Sequence, residues 1–177
     1  MKLDNKIYQD KLLNEYLEYL GNIKGYSKYT LISYKTDIQK YFEYLNKNKL
    51  NYYDIEKYIQ NLSKKKYAKT TINRKIVSIT NFFKWCKNKK NLNLKDIKTI
   101  KNMKTERKLP TILTSNYINK LLDTIPTSTT KEVRDRSIIE ILYSSGLRVS
   151  ELTNLKLNDI KQNKSIKVLG KGNKVRI

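Results

Sequence analysis

ILYSSGLRVSELTNLKLNDI (residues 141–160) and KSIKVLGKGNKVRI (residues 164–177) carry the most informative pattern in this chain of 177 residues. In the first segment, Gly146 closes a helical run and Arg148 stands just before a new one. In the second, Ile166 and Val168 on one side and Val175 and Ile177 on the other bracket a Gly170-Lys171-Gly172-Asn173 turn. That alternation around a glycine-rich turn predicts a β-hairpin with Lys171 at its tip. An arginine at a helix start and a lysine on a hairpin tip can converge on one phosphate. The Gly-x-x-x-x-Gly-Lys-Ser/Thr pattern of a nucleotide-binding loop is absent, so ATP binding at this turn is rejected.

Charge points the same way. The net formal charge is +22, with a pI near 9.9, which suits a polyanionic partner. Residues 1–109 hold 26 Lys and Arg against 10 Asp and Glu, and residues 110–177 hold 12 against 6. A codon bias toward Lys, Asn, Ile and Tyr inflates the lysine total, but it explains less well the absence of any acid between Glu56 and Asp96. Nucleic acid is the favoured partner. One cysteine, Cys86, excludes an internal disulfide, and the lack of histidine excludes Cys–His zinc sites. The N-terminus has no secretory pattern and no run reaches membrane-span length, so a soluble, cytoplasmic protein is expected.

Upstream, apolar periodicity predicts four helices. Residues 8–22 carry Leu12, Leu13, Tyr16, Leu17 and Leu20, with Gly21 and Gly25 as breakers. Ser27 suits the N-cap of a second helix to about residue 46, with Leu31, Tyr34, Ile38, Tyr41 or Phe42, and Leu45 facing inward. Asp54 caps a third through Ile55, Tyr58, Ile59 and Leu62. The fourth, residues 70–87, carries Ile72, Ile76, Ile79, Phe83 and Cys86, spaced four, three, four and three apart. At ~100° per residue the opposite face presents Thr70, Arg74, Ser78, Asn81 and Asn88, with Lys84 beside them. Such a face suits DNA, although a merely solvated face has the same pattern. Val77 and Trp85 point partly outward in this reading.

Residues 91–109 read as an extended linker ending at Leu109-Pro110. Beyond it, Thr114 or Ser115 caps a short helix through Tyr117, Ile118, Leu121 and Leu122. A helix over 132–145 is expected to bury Ile138, Ile139, Ile141 and Leu142, with Tyr143 packing. A third follows from Val149 to about Leu155, and then a turn at residues 162–164.

The order of parts resembles tyrosine recombinases of the phage-integrase, Xer-like type. Ser27-Lys28-Tyr29-Thr30, Tyr34, Asp37-Ile38 and Tyr41-Phe42 are similar to the family's second-helix pattern; Thr71-Ile72-Asn73-Arg74-Lys75, Phe82-Phe83 and Trp85 are similar to its fourth. Ser145-Gly146-Leu147-Arg148-Val149-Ser150-Glu151-Leu152, followed at the right distance by Gly170-Lys171-Gly172-Asn173-Lys174, is the specific part of the likeness. The resemblance implies a mainly α fold: a four-helix SAM-like core-binding domain (1–90), a linker (91–109), and the start of an α+β catalytic domain with a β-hairpin (110–177).

It also implies metal- and cofactor-free phosphoryl transfer on double-stranded DNA through a 3′-phosphotyrosyl link, by a homo- or hetero-tetramer. Arg148 matches the first of two phosphate-binding arginines, Lys171 the lysine that protonates the leaving oxygen, and Glu151 a supporting acid. Candidate DNA contacts are Lys69, Thr70, Arg74, Lys75, Ser78, Asn81 and Lys84. The family's His-x-x-Arg segment and nucleophilic tyrosine have no match in residues 1–177. The expectation is therefore an N-terminal fragment that binds duplex DNA and is inactive in cleavage as it stands. The alternative is a truncated, non-enzymatic regulator that occupies recombination sites.

Overall fold

The computed structural model describes residues 2–46, 50, 54–90, 100–106, 109–161, 165–170 and 175–176. The turns at 162–164 and 171–174, Ile177 and the linker residues 91–99 and 107–108 lie outside them. Contacts divide the chain into two units, Met1–Lys108 and Leu109–Ile177. No helix among the described residues is long and apolar enough to cross a membrane.

The first unit is built from α1 (Lys2–Glu18), α2 (Lys28–Leu45), α3 (Asp54–Lys64) and α4 (Lys69–Lys90). The first helix starts earlier than its apolar spacing suggests, and Gly21 does not break it. It continues instead as a π-helical turn, Tyr19–Ile23, in which the Lys24 N–H reaches the Tyr19 carbonyl at 3.2 Å. A Cβ at Gly21 would stand 3.4 Å from Leu31 Cδ1, an ordinary packing distance, so the end of α1 lies against α2 there. The chain turns only at Gly25, in the left-handed region at φ +65°. Ser27 then caps α2 as expected, its Oγ accepting the Thr30 N–H. Asp54 and Glu56 in the first turn of α3 and Lys64 in its last complement the helix dipole.

α4 is the central element, contacted by α1, α2 and α3. Its expected stripe of Ile72, Ile76, Ile79, Phe83 and Cys86 is buried, and so are Lys75, Ser78, Thr80, Phe82 and Trp85. Three neighbouring helices cover a wider arc than one stripe supplies, so Trp85, off the stripe, packs on a neighbouring helix. Its ring lies 5.3 Å from Tyr16 and 6.2 Å from Tyr19, whereas Val77 does remain exposed. Edge-on aromatic pairs tie the layers together: Tyr16 to Phe82 at 5.4 Å, Tyr41 to Tyr58 at 5.3 Å, and Phe42 to Phe82 at 5.7 Å.

One polar group sits inside this core. Asp37 of α2 is 0% exposed and accepts from Lys75 Nζ at 2.9 Å, Arg74 NH1 at 2.5 Å and Ser78 Oγ at 3.1 Å. A desolvated carboxylate is tolerable only with such partners. The described part of the linker, residues 100–106, has neither helix nor strand and does not stand off from the unit. Ile100 and Met103 pack against the core. The Asn73 side chain donates to the Met103 carbonyl at 2.9 Å and accepts its N–H at 2.8 Å. Over these residues the segment is a strap on α4, because its few apolar side chains find uncovered core to bury.

The second unit holds α5 (Ser115–Thr124), α6 (Thr130–Ser145), α7 (Val149–Thr153), a 3₁₀ turn (Leu157–Asp159) and the antiparallel strands β1 (Val168–Leu169) and β2 (Val175–Arg176). Val168 pairs with Arg176 and Leu169 with Val175, which is the expected hairpin. Thr129 and Glu132 form a capping box at the start of α6, and Gly146 ends it at φ +61°. The expected burial of Ile138, Ile139, Ile141 and Leu142 is corrected, as is the packing of Tyr143. Among the described residues of this unit only Leu122, Leu147 and Val168 are buried, while Ile138 and Tyr143 are exposed and the other three half-buried. Three helices and a short ribbon are too few to enclose both sides of α6.

Two outcomes are expected. Asp37→Ala strands the buried Lys75 charge and should cost about 3–5 kcal/mol in urea unfolding. The double change Asp37→Leu with Lys75→Met should cost clearly less, and equal losses would deny the pair its role. Burial pushes the Cys86 thiol up to about 12, so alkylation at about pH 8 should proceed only as fast as the first unit opens.

Candidate functional site

The short helix α7 owes its start to Arg148 and Glu151. Arg148 occupies the N-cap position in an extended conformation, φ −73° and ψ 152°. Arginine has no acceptor with which to cap the helix. The return half of a capping box forms instead: Glu151 Oε2 accepts the Arg148 N–H at 2.8 Å. The same side chain holds the guanidinium, with Arg148 NH1 donating to Glu151 Oε1 at 2.8 Å. Arg176 on β2 then donates through NH2 to Oε2 at 2.7 Å, from 25 residues further along the chain. Glu151 is thus enclosed, its side chain 7% exposed, while the two arginine side chains are 63% and 47% exposed. The Arg148 N–H foremost holds the Glu151 carboxyl below its ordinary value; desolvation opposes it, and the Arg148 guanidinium and the Arg176 charge add to the lowering.

This cluster can receive an oxyanion, since most of the Arg148 fork is unused and open to solvent. Lys171, expected beside it, lies outside the described residues. Its hairpin is nonetheless tied to α7 by Arg176, a residue the motif reading did not single out. The available signal was its place on the strand after the glycine turn, facing an acid three residues past Arg148.

On α4, the candidates separate. Lys69, Thr70 and Lys84 are exposed, the Arg74 side chain is 51% exposed, and Asn81 is half-buried, donating to Tyr34 Oη at 3.3 Å. Lys75 and Ser78 are corrected as surface contacts, being 3% and 2% exposed and bound to Asp37. Helical geometry placed Ser78 opposite the apolar stripe, but α2 covers that side and supplies Asp37 as its partner. Asn81 and Lys84 line a recess of ≈ 320 Å³ together with Tyr19, Lys24, Tyr26 and Trp85. Lys24 lies 5.9 Å over the Tyr19 ring there. Tyr16 and Tyr41 are buried in the first unit, and desolvation pushes their phenols far up. Among the described residues no group of three or more His, Cys, Asp or Glu could hold a metal ion.

Residues 13–90 match the family model "Phage integrase, N-terminal SAM-like domain", and residues 111–177 match "Phage integrase family". The chain is 34% identical over 173 residues to tyrosine recombinase XerC of Staphylococcus epidermidis, covering 94% of this chain and 58% of that protein. It is 35% identical over 180 residues to tyrosine recombinase XerD of Rickettsia bellii, covering 94% and 59%. The crystal structure of XerA recombinase matches 95% of this chain and 58% of that one, with 27% identity and a TM-score of 0.42. The chain therefore spans a little over half the length of the curated relatives it matches.

The depressed Glu151 carboxyl sets a direction with pH. Its contribution is at full strength above the ordinary glutamate value of about 4.3 and is lost as pH falls through the lower folded value. The Arg148 amide resonance, followed against pH, should move with a midpoint below that ordinary value. A midpoint at or above it would mean that the carboxylate is not shared as described.

Proposed function

The chain belongs to the phage integrase family of tyrosine recombinases, and on that premise we propose that its residues bind duplex DNA and supply phosphate-stabilising groups for site-specific recombination. The observation that carries this reading is the Arg148–Glu151–Arg176 cluster at the start of α7. A phosphodiester under in-line attack gathers charge on its non-bridging oxygens, and an arginine fork held from behind by a carboxylate meets two of them at once. Arg148 takes that role. Lys171, which lies outside the described residues, is proposed to protonate the leaving oxygen. Glu151 orients Arg148 and does not transfer a proton, since a carboxyl held ionised is a poor acid.

For the first unit, the proposed DNA contacts are Lys69, Thr70 and Arg74 near one end of α4 and Asn81 and Lys84 further along. Arg74 spans both roles, touching Asp37 with one nitrogen while half its side chain reaches solvent. Lys75 and Ser78 act by fixing α4 against α2, so that the exposed residues keep their register. Strand cleavage through a 3′-phosphotyrosyl link, and assembly as a tetramer with two protomers per site, are proposed for a protein of the relatives' length.

Affinity of the 177-residue chain for a mixed-sequence duplex should fall steeply with salt. For about four phosphate contacts, raising salt about fourfold should weaken binding about a hundredfold. Lys69→Ala with Lys84→Ala should lower that slope by about two, whereas Ser78→Ala should leave it unchanged. A salt-insensitive affinity, or a slope untouched by the double change, would remove α4 as the contacting helix.

A further inference from the structure

We propose that Arg176 is a positioning residue for Arg148, acting through Glu151 to keep the Arg148 guanidinium available to a phosphate. The inference deepens the reading of Arg148 as a phosphate ligand and rests on it. It starts from how three donors share one carboxylate. Glu151 Oε1 takes Arg148 NH1 at 2.8 Å, while Oε2 takes the Arg148 backbone N–H at 2.8 Å and Arg176 NH2 at 2.7 Å.

An arginine beside a free carboxylate closes on both oxygens, and its charge is then spent on that pair. Here the second oxygen is already taken by Arg176 and by the helix-start N–H. Among the described residues Arg148 is held to Glu151 through one guanidinium nitrogen, on a side chain 63% exposed. Charge gives the same result. Arg148 and Glu151 alone form a pair with no net charge, so only the outward end of its dipole draws an incoming phosphate. With Arg176 the cluster carries one net positive charge, its carboxylate enclosed and its two arginines open to solvent.

The contact also has a structural side, because it joins β2 to α7 across 25 residues. A brace alone and a positioning role make different demands. A brace needs a hydrogen bond of the right length, while a positioning role needs positive charge opposite Glu151. Removing the Glu151 charge should therefore make Arg176 dispensable for phosphate binding, even though the brace is then gone as well.

The test is titration of the 177-residue chain with inorganic phosphate, followed by the side-chain Nε–Hε resonance of Arg148. Arg176→Gln should weaken phosphate binding at Arg148 about threefold or more, the scale of an exposed charge interaction. Arg176→Lys should recover most of the loss, and adding Glu151→Gln to Arg176→Gln should recover it too. Unchanged binding in Arg176→Gln would overturn the inference. Failure of both rescues would also overturn it, leaving Arg176 as a brace. Absence of phosphate binding at Arg148 in the unaltered chain would instead sink the reading of Arg148 itself.

Discussion

A carboxylate without access to water organises the first unit. Asp37 faces Lys75, Arg74 and Ser78 across the α2–α4 contact, and its burial is tolerable only while all three remain in place. Because the partners sit at successive positions of one helix face, α4 can neither rotate nor slide without leaving a charge unpaired. Apolar packing by itself would not be so strict, since an isoleucine stripe tolerates small shifts. The ion cluster therefore helps fix which residues of α4 remain outside, Lys69, Thr70 and Lys84 among them, with Arg74 at the boundary. What the helix offers to a partner follows from what one aspartate holds within.

The second unit repeats the device in a wetter setting. Glu151 is likewise shared between two cations, but its arginines reach solvent. In the first unit the shared carboxylate locks a helix in place, at the cost of withdrawing Lys75 from the surface. In the second it orients an arginine without using it up. The difference lies in exposure: a buried cluster contributes register, whereas an exposed one leaves donors for an oxyanion.

Much of this was legible in the residues. The helix boundaries near Ser27 and Gly146, the apolar stripe of α4 and the Val168–Val175 hairpin follow from capping chemistry and period alone. So did Arg148 and Glu151 as neighbours, because three residues along a helix start is one turn. Local rules failed where a second element intervened. Ser78 and Lys75 read as surface residues until α2 supplied Asp37. Trp85 read as outward until Tyr16 and Tyr19 covered it. Ile100 and Met103 read as linker, having no periodicity, and only the Asn73 side chain marks where they dock.

The sequence by itself determined the kinds of element, their order, the basic character of the chain and the motif that places it in its family. These depend on interactions within a few residues, or on composition, and need no knowledge of neighbours. Only the tertiary structure decided which polar residues of α4 are withdrawn, that Arg176 meets Glu151 from 25 residues away, and that α6 keeps an open apolar side. A charged side chain has no intrinsic inside or outside. Its place is set by whether another element brings the opposite charge within hydrogen-bond reach, and periodicity along one helix cannot report that.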